Sequence, residues 1–490
     1  MSYYIGADLG TSSLKLLLVG SDGQIRNTVS KSYPIDFPNA GWSEQRPEEW
    51  WDAFLIGVRE LIAGIDPSDI KGIGAGGQMH GLVMLDEDGT VIRPAILWND
   101  GRTAKETDYL NGEIGKERLS KLTGNIAFAG FTAPKILWIR ENEPENFARI
   151  NMIMLPKDYL VYRLTGQHVT DYSDAAGTLL LDVKNKRWSE EMLAICDIAP
   201  DVMPGLCDSS AVVGNVLPEV AEQLGLSPET SVVAGAADNA AAALGMGAVD
   251  SGSCNLSLGT SGTVFVPTEH FADVGTVGIH SFCHANGKYH LMGCILSAAS
   301  CNKWFCEDIL GTSDFSKEQA SITDDMLGNN HVYYLPYLMG ERSPINDTFA
   351  RSTFTGMRLD TKRSDMLLAV LEGVAFAIKD NFEVAKSCGV SVEKCTLCGG
   401  GAKSPLWQKI LADVLNIEIV VPFSEDGPAY GGAMLAMTGC GEYDTIADCA
   451  KELVKYKSSV LPDKEKVSLY SKQYEKYRLL YPALKEFFRQ

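Results

Sequence analysis

The sequence predicts an α/β protein with two domains. The chain has 490 residues, which is too long for one hydrophobic core and suits two domains of roughly 200–250 residues each. Segments with the features of strands alternate with helical segments, which is typical of α/β architecture. The sequence Leu-Gly-Thr-Ser occurs at residues 9–12 and again at 258–261, about half a chain apart. We therefore expect two similar halves that meet near residue 246.

Helices are predicted from local signals in both halves. Pro405 suits the first position of a helix, because its fixed φ angle is already helical. Residues 239–244 are rich in alanine, which is the best helix former. Apolar residues recur at helical spacing in 364–387 and in the tail. The predicted helices are 47–63, 239–244, 297–310, 364–387, 405–415 and 468–490.

Strands are predicted where short runs of β-type residues end in small or turn-forming residues. Residues 14–19 follow the first Leu-Gly-Thr-Ser and lead to Asp22-Gly23, a sequence typical of hairpin turns. Residues 263–266 follow the second copy in the same way. Each copy is therefore expected in a turn between two strands. The other predicted elements of this kind are a hairpin at 167–182 and strands at 231–237 and 395–398.

Charge and composition narrow the class of partner. The chain has 43 basic and 63 acidic residues, so its net charge is −20. This charge repels nucleic acid and anionic membranes, but a phosphate ligand can still be bound by backbone N–H groups. The N-terminus does not resemble a signal peptide, and no apolar run is long enough to span a bilayer. Since the twelve cysteines are scattered through apolar segments, we expect reduced thiols in a cytoplasmic protein.

The two Gly-Thr-Ser turns are candidate phosphate sites. Glycine lets the backbone approach a ligand closely, and successive N–H groups then point into a concavity that suits phosphate oxygens. The threonine and serine hydroxyls add donors. The candidates are Gly10, Thr11 and Ser12 in the first turn and Gly259 and Thr260 in the second. Ordinary hairpins without a ligand are the alternative.

Asp8 is the candidate metal ligand. Its carboxylate ends the first strand and stands directly before the first Gly-Thr-Ser turn. Mg²⁺ usually keeps several waters and takes only one or two protein carboxylates. A bound Mg²⁺ at Asp8 would therefore lie close to phosphates held by the turn. The alternative is an aspartate that only stabilises the turn.

Three small residues, Gly400, Gly401 and Ala402, follow a strand and precede a helix. Without large side chains, this backbone lets a flat ring or a sugar lie against it, and the helix N-terminus favours anions. The spacing differs from the dinucleotide-binding fingerprint, in which the glycines open the helix directly. A flexible turn is the alternative.

Asp238 is the candidate general base. It stands between a strand of small residues and an alanine-rich helix, so we expect it to cap the helix N-terminus. The cap and the helix dipole are expected to lower its pKa and keep it a carboxylate at neutral pH. A carboxylate in a cleft accepts the proton of a sugar hydroxyl. On local sequence alone, a purely structural helix cap is the better explanation of Asp238.

Gln78, Met79 and His80 form a glycine-flanked segment after a predicted strand, and Trp98 lies in a second polar segment. Side chains that both donate and accept hydrogen bonds, together with an aromatic face, suit recognition of a polyol. Structural roles for the same residues are the alternative.

Two long segments resemble the signatures of the FGGY carbohydrate kinases, a branch of the hexokinase/actin-like superfamily. Residues 130–142 are similar to the first signature and residues 352–372 to the second. The resemblance implies two ribonuclease H-like, actin/hexokinase-like ATPase domains on either side of a deep cleft. Residues 1–246 would carry the sugar and phosphate side, and residues 247–490 the nucleotide side and the C-terminal helix.

Within this family the chain looks most like the xylulokinase branch, on residues 42–45, 77–81, 97–102, 155–160 and 173–178. That resemblance implies transfer of phosphate from ATP, with Mg²⁺, to D-xylulose. It also implies a role for each candidate residue. Met79, His80, Trp98 and Asn239 would contact the sugar, and Asp238 would be the general base. Asp8 would lie near the metal and the phosphates, Gly259 and Thr260 would contact the transferred phosphate, and Gly400 to Ala402 would contact the adenosine.

Other functions stay open on the sequence. A sibling enzyme for ribulose, gluconate or another polyol would keep the two aspartates and the glycine turns. An actin-like ATPase would hydrolyse ATP without a sugar substrate. A non-enzymatic sugar sensor is disfavoured because Asp8 and Asp238 are both present. The tail helix leaves two arrangements open, packing on its own body or on a second copy in a homodimer.

Overall fold

The computed structural model describes residues 1–490, and its strands are distributed over both halves of the chain. In chain order they are β1 Tyr3–Leu9, β2 Ser13–Gly20, β3 Ile25–Ser32, β4 Glu44–Gln45, β5 Ile70–Gly77, β6 Val83–Leu85, β7 Ala95–Ile96, β8 Met152–Met154, β9 Val169–Asp171, β10 Leu181–Asp182, β11 Arg187–Trp188, β12 Gly205–Cys207, β13 Val212–Asn215, β14 Ser231–Val233, β15 Ala236–Ala237, β16 Gly252–Leu258, β17 Gly262–Thr268, β18 His280–Cys283, β19 Tyr289–Ile295, β20 Tyr333–Leu335, β21 Thr353–Thr355, β22 Val392–Cys398, β23 Glu418–Pro422 and β24 Tyr456–Val460.

The α-helices alternate with these strands, as the sequence predicts. They are α1 Pro47–Leu61, α2 Ala104–Tyr109, α3 Lys116–Thr123, α4 Thr132–Asn142, α5 Pro144–Phe147, α6 Pro156–Thr165, α7 Tyr172–Ala176, α8 Glu190–Cys196, α9 Pro218–Leu224, α10 Asp238–Gly245, α11 Ala299–Trp304, α12 Phe315–Gln319, α13 Arg363–Ser387, α14 Pro405–Leu415, α15 Gly427–Gly439, α16 Ile446–Leu453, α17 Lys464–Tyr477 and α18 Leu480–Phe488. None of these helices combines the length and the apolar character needed to cross a lipid bilayer.

Two seven-stranded sheets share one topology. The first has the order β13-β14-β5-β1-β2-β3, with β15 beside the end of β5, and the second has the order β24-β23-β22-β16-β17-β19-β18. In each sheet the first strand pairs antiparallel with the next strand and parallel with a later one, as in β1 with β2 and β5, and in β16 with β17 and β22. This duplication confirms the α/β, ribonuclease H-like expectation.

Each Gly-Thr-Ser sequence lies in the turn between the first two strands of its sheet. The first connects β1 to β2 and the second connects β16 to β17. Both turns are therefore at the carboxyl end of a strand that has a parallel neighbour. The repeat predicted from four residues is thus a repeat of whole sheets.

Helix α15 belongs to the second half of the chain but packs against the first sheet and α10. Glycines make this possible, because a Cβ at Gly432 would lie 2.6 Å from the carbonyl oxygen of Gly74. A Cβ at Gly431 would lie 2.7 Å from the carbonyl carbon of Ala241 in α10. The backbones are therefore in direct contact, and one buried apolar cluster includes residues of both halves. The division at residue 246 stays a prediction.

Three predicted elements differ in the structure. Residues 167–182 do not form a hairpin, because β9 pairs with β12 and β10 pairs with β11. The strand predicted at 231–237 is broken into β14 and β15 around Gly235, which has a φ of 78°. The single tail helix is two helices, α17 and α18. Buried tyrosines of α17 pack around Phe376 of α13, so α17 lies on the body of its own chain.

Candidate active site

Two aspartates lie on the same edge of the first sheet, separated by the end of β5. Asp8 is opposite Gly76 on one side of β5, and Ala236 is opposite Gly76 on the other side. Asp238 follows β15 directly. Since adjacent strands are about 4.8 Å apart, the backbones of Asp8 and Ala236 are two strand spacings apart, roughly 10 Å, and Asp238 lies two residues beyond Ala236. The edge is formed by the carboxyl ends of parallel strands, which is where open α/β sheets bind ligands.

Asp238 differs from the expected helix cap in position and in pKa. The residue before the helix is Ala237, and Asp238 is the first helical residue. Its Oδ1 accepts a hydrogen bond from the backbone N–H of Asn239 at 2.7 Å. Burial, and after it the charge of Asp8, raise the pKa of Asp238 to about 7, although the hydrogen bond from Asn239 lowers it. The predicted lowering of this pKa is therefore wrong, because desolvation outweighs the local hydrogen bond.

Asp8 is half-buried beside an ion pair between Lys15 and Asp426. Lys15 is the register partner of Asp8 on β2, whereas Asp426 comes from the loop before α15. The pKa of Asp8 is raised to about 6, because burial, with a smaller contribution from Asp426, outweighs the lowering effect of Lys15. No group of three or more metal-ligating side chains exists in the structure. An Mg²⁺ bound mainly by phosphates and water requires only one or two carboxylates, so Asp8 fits such an ion.

Asn239 links the second aspartate to the predicted sugar contact Met79. Its Nδ2 lies 3.1 Å from the sulfur of Met79 and 2.9 Å from the sulfur of Met292. Its Oδ1 is buried and accepts no hydrogen bond from the protein. A buried amide oxygen without a partner is unfavourable. A ligand hydroxyl at this position would satisfy it.

His80 has a strained backbone and a fixed tautomer. Its φ angle is 68°, which is uncommon for a residue other than glycine. Its Nδ1 is 2.6 Å from the carbonyl oxygen of Gly177, and its own carbonyl oxygen accepts a bond from Lys135 Nζ at 2.7 Å. Burial, and after it the charge of Lys135, lower the pKa of His80 to about 3. The ring is therefore neutral, and with Nδ1 donating to Gly177 its Nε2 is an acceptor.

Gln78 and Trp98 connect the predicted sugar side to the first Gly-Thr-Ser turn. Gln78 Nε2 donates to Gln45 Oε1 at 3.1 Å, and Gln45 Nε2 donates to the carbonyl oxygen of Thr11 at 2.6 Å. Trp98 Nε1 donates to Thr11 Oγ1 at 2.9 Å, and 46% of the Trp98 surface is exposed. Gln78 Oε1 is buried and has no partner in the protein. The structure thus connects Gln78, Trp98 and Thr11 in one network.

A cavity of about 800 Å³ lies between the second Gly-Thr-Ser turn and the triple-glycine segment. Its volume is in the range of cofactor and ligand pockets. Gly259, Thr260, Gly400 and Gly401 all line it, whereas Ala402 is buried and does not. Its other lining residues come from α11, α12 and α14 and the segments beside them, namely Ala299, Ser300, Asn302, Lys303, Phe315, Ser316, Gln319, Ala320, Lys403, Ser404, Pro405, Leu406 and Trp407. Residues 10–12 lie outside this cavity.

The glycines of this cavity have different structural requirements. Gly399 has a φ of 86°, which a residue with a side chain rarely adopts, and a Cβ at Gly401 would lie 2.6 Å from Leu258 Cγ. A Cβ at Gly400 would meet no protein atom within 4 Å, and one at Gly259 would meet only the oxygen of Ser261 at 3.6 Å. Packing therefore does not require glycine at 259 or 400. The open space above them fits a ligand that lies against the backbone.

Several residues around the site were not predicted from the sequence. Lys135 lies in the first family signature, so the sequence marks its segment. Nothing in that signature indicates that Lys135 donates a hydrogen bond to the carbonyl oxygen of His80. Lys15 alternates with buried residues along β2 and reads as a solvent-facing position. Asp426 has no local signal at all, since its link to Asp8 depends on α15 returning to the first sheet.

Comparisons with known proteins match the whole chain. Residues 3–245 match the N-terminal domain and residues 254–440 the C-terminal domain of the FGGY family of carbohydrate kinases. The xylulose kinase of Escherichia coli strain K12 is 41% identical over 483 residues, which cover 98% of this chain and 99% of that protein. The crystal structure of a "xyloylose kinase" from Brucella ovis has 39% sequence identity and a TM-score of 0.93, and covers 99% of this chain and 100% of that one.

A gluconate kinase from Lactobacillus acidophilus also superposes over nearly the full length, with a TM-score of 0.92, 26% identity and coverage of 99% of this chain and 98% of that one. The same backbone is thus found in kinases named for different sugars. The family itself is shown by both halves of the sequence. This chain belongs to the FGGY family of carbohydrate kinases, and it is a phosphotransferase that acts on a sugar.

Proposed function

We propose that this enzyme transfers the terminal phosphate of ATP to D-xylulose and forms D-xylulose 5-phosphate and ADP. The full-length similarity to a protein named xylulose kinase supports the choice of sugar. The observation that carries the proposal is the surroundings of Asp238. Two buried amide oxygens without protein partners, those of Gln78 and Asn239, lie on the segments that follow β5 and β15. They are suited to accept hydrogen bonds from a polyhydroxylated substrate.

Asp238 is the proposed general base. As the sugar oxygen forms its bond to the γ-phosphorus, the bond from that phosphorus to the bridging oxygen of ADP breaks. The hydroxyl proton passes to the carboxylate of Asp238. A base with a pKa near the working pH is efficient at this step, and burial together with Asp8 raises the pKa of Asp238 to about 7. The raised pKa thus supports catalysis better than the lowered value that the sequence predicted.

Three of the predicted sugar contacts, His80, Met79 and Trp98, are the proposed sugar-binding residues. The neutral His80 ring accepts a hydrogen bond from a sugar hydroxyl at Nε2, because Nδ1 donates to the carbonyl oxygen of Gly177. Met79 contacts the amide of Asn239 and orients its free oxygen. The exposed indole of Trp98 supplies an apolar face against which the carbon skeleton packs.

ATP is the proposed phosphate donor, and its nucleoside occupies the cavity of about 800 Å³. Gly400 and Gly401 leave room for it, and the backbone N–H groups of Gly259 and Thr260 bind phosphate oxygens. The backbone N–H groups of the first turn, residues 10–12, also bind phosphate oxygens. Asp8 would hold the Mg²⁺ ion, which offsets phosphate charge when it is bound.

The experiment that tests this function is a substrate panel in an ADP-release assay. Purified enzyme receives MgATP with D-xylulose, D-ribulose, gluconate, glycerol or no sugar, and the phosphorylated carbon is identified by NMR. We expect ADP release with D-xylulose to exceed that with each other compound by at least tenfold in kcat/KM, with phosphate on carbon 5. Faster turnover of gluconate or ribulose would show that D-xylulose is not the preferred substrate. ATP hydrolysis that no sugar stimulates would exclude the proposed sugar kinase activity.

The proposed setting is the cytoplasm, with the sugar and ATP as partners. All twelve cysteines are free thiols, which suits a reducing compartment. The net charge of −20 argues against nucleic acid as a partner. A homodimer is also proposed, because none of the side chains of α18 is fully buried within the chain and 72% of Phe487 is exposed.

A further inference from the structure

A buried lysine and three carboxylates lie beneath the catalytic edge of the first sheet. Lys157 Nζ is 2.6 Å from Asp158, 3.0 Å from Asp171 and 3.7 Å from Asp174, and all four side chains are at most 1% exposed. The backbone is close as well, because a Cβ at Gly77 would lie 2.6 Å from the Cβ of Lys157. Burying four ionisable groups is unfavourable unless they are paired and hydrogen-bonded. Such a cluster needs an explanation beyond the stability of the fold.

Lys157 is the single positive group that these salt bridges place against the three carboxylates, and it does not stabilise them equally. Burial lowers the pKa of Lys157, but Asp158, Asp171 and Asp174 outweigh this effect and raise it, so the ammonium is charged. Burial raises the pKa of Asp174 well above its ordinary value, because Lys157 offsets the effect only in part and nearby carboxylates, including Asp238, add to it. Neither oxygen of Asp174 has a hydrogen-bond partner. The ion pair between Lys157 and Asp171, rather than the longer contact with Asp174, therefore connects the cluster to the active site.

From that ion pair a continuous hydrogen-bond path leads to the residue before Asp238. The backbone N–H of Ala237 donates to Ser173 Oγ at 3.0 Å, and Ser173 Oγ donates to Asp171 Oδ2 at 2.5 Å. Lys157 holds the other oxygen of the Asp171 carboxylate. Each donor has one acceptor, so the orientation of the Ser173 hydroxyl is fixed by its two partners. The path ends one residue before the proposed base, where β15 changes into α10.

We propose that Ser173, held by the Lys157–Asp171 ion pair, is a positioning residue that sets the place of the Asp238 carboxylate. This proposal rests on the proposed role of Asp238 as base. Ser173 does not touch the substrate, and it acts by fixing the amide of Ala237. Without this bond the junction between β15 and α10 is free to shift, and a displacement of about 1 Å at a reacting group lowers the rate by as much as 10²-fold.

The chain offers a matched control for this proposal. Ser209 Oγ donates to the same Asp171 oxygen at 2.7 Å, whereas the amide of Ala237 donates to Ser173 and not to Ser209. Ser173→Ala and Ser209→Ala each remove one buried hydroxyl and one hydrogen bond to Asp171. Only Ser173→Ala also removes the acceptor of the Ala237 amide. A purely structural role for the cluster would make the two variants equal in catalysis.

The test measures kcat and KM for D-xylulose in Ser173→Ala and Ser209→Ala, with and without Asp238→Asn. We expect Ser173→Ala to lower kcat tenfold or more with KM changed less than threefold, and Ser209→Ala to leave kcat within threefold. We also expect Ser173→Ala to have no further effect in the Asp238→Asn protein, because it acts through that carboxylate. Equal kcat losses in the two serine variants, or an undiminished Ser173→Ala loss without Asp238, would overturn the proposal.

Two outcomes separate this inference from the proposed function. If Asp238→Asn alone keeps normal turnover, Asp238 is not the base, and Ser173 then has no catalytic carboxylate to position. If Asp238→Asn is inactive while Ser173→Ala is normal, the base stands and the positioning role fails. Should Ser173→Ala not fold, Ser173→Cys replaces it under the same criteria, because a thiol keeps the volume but is a weak acceptor.

Discussion

Gly431 provides a sharp test of how the two halves of the chain are joined. This residue lies within α15, where the backbone of α15 contacts that of α10, the helix that begins with Asp238. A Cβ at Gly431 would lie 2.7 Å from the carbonyl carbon of Ala241 and closer still to its oxygen. Both obstacles are backbone atoms of a helix, so neither can rotate away. We predict that Gly431→Ala destabilises the protein and displaces α10.

The magnitude follows from two opposing effects. An ordinary van der Waals contact begins at 3.4 Å, so the two helices must separate by at least about 0.7 Å. Overpacking of this kind costs about 3 kcal/mol, because the interior cannot absorb the extra volume. Alanine is about 1 kcal/mol more favourable than glycine inside a helix. The net loss of unfolding free energy for Gly431→Ala is therefore about 2 kcal/mol, and kcat falls because Asp238 moves with α10.

The matched control is Gly57→Ala within α1. A Cβ at Gly57 would meet Leu16 Cδ1 at 2.6 Å, which is the end of a flexible side chain that can turn aside. Here the gain in helix propensity offsets the steric cost, and we expect stability within about 0.5 kcal/mol of the wild type. Urea unfolding followed by tryptophan fluorescence measures both variants. Equal stability of the Gly431 and Gly57 variants would refute the direct backbone contact between α10 and α15.

Three further predictions concern other parts of the site and the core. Burial raises the pKa of Glu372 to about 8, so the stability that its protonated form contributes is complete below pH 4 and is lost as pH rises towards 8. Glu372→Gln should therefore raise the free energy of unfolding in urea at pH 7.5 by about 2 kcal/mol. A lower free energy of unfolding at that pH would contradict this prediction. Asp8→Asn should raise the MgATP requirement more than the dissociation constant of the sugar, and the reverse result in separate titrations would remove its metal role. Gly400→Ala should weaken nucleotide binding about tenfold in calorimetry and leave the stability of the protein unchanged. Gly401→Ala should lower the stability, because the added methyl group meets Leu258. Equal nucleotide affinity in the wild type and Gly400→Ala would place the nucleotide elsewhere.

The sequence predicted those parts of the fold that depend on neighbouring residues. Pro405 begins α14 where expected, and the helix ends at Leu415 as predicted. The two Gly-Thr-Ser turns are found between the expected strands, because glycine and hydroxyl residues favour such turns locally. The apolar spacing of the tail predicts one helix, because it continues across the break between Tyr477 and Leu480. Helical spacing alone does not reveal that break.

The electrostatics of the site depend on contacts that local sequence does not contain. The position of Asp238 at a helix start predicts a lowered pKa, but burial and the charge of Asp8 reverse the direction of the shift. The ion pair between Lys15 and Asp426 joins residues more than 400 positions apart. The sequence predicts that Ala402 contacts the ligand together with its glycine neighbours, but the turn directs it into the core. In each case a long-range contact decides the environment.

The central claim is that Asp238 removes the proton of a sugar hydroxyl during phosphoryl transfer. The most direct measurement compares D-xylulose-dependent ADP release by the wild type and Asp238→Asn, with sugar binding measured separately by calorimetry. We predict that Asp238→Asn lowers kcat by about 10²–10⁴-fold while the dissociation constant of the sugar changes less than threefold, and that the wild-type kcat falls as pH drops below about 7, where the carboxyl takes up its proton. Near-normal turnover by a folded Asp238→Asn protein would contradict the account.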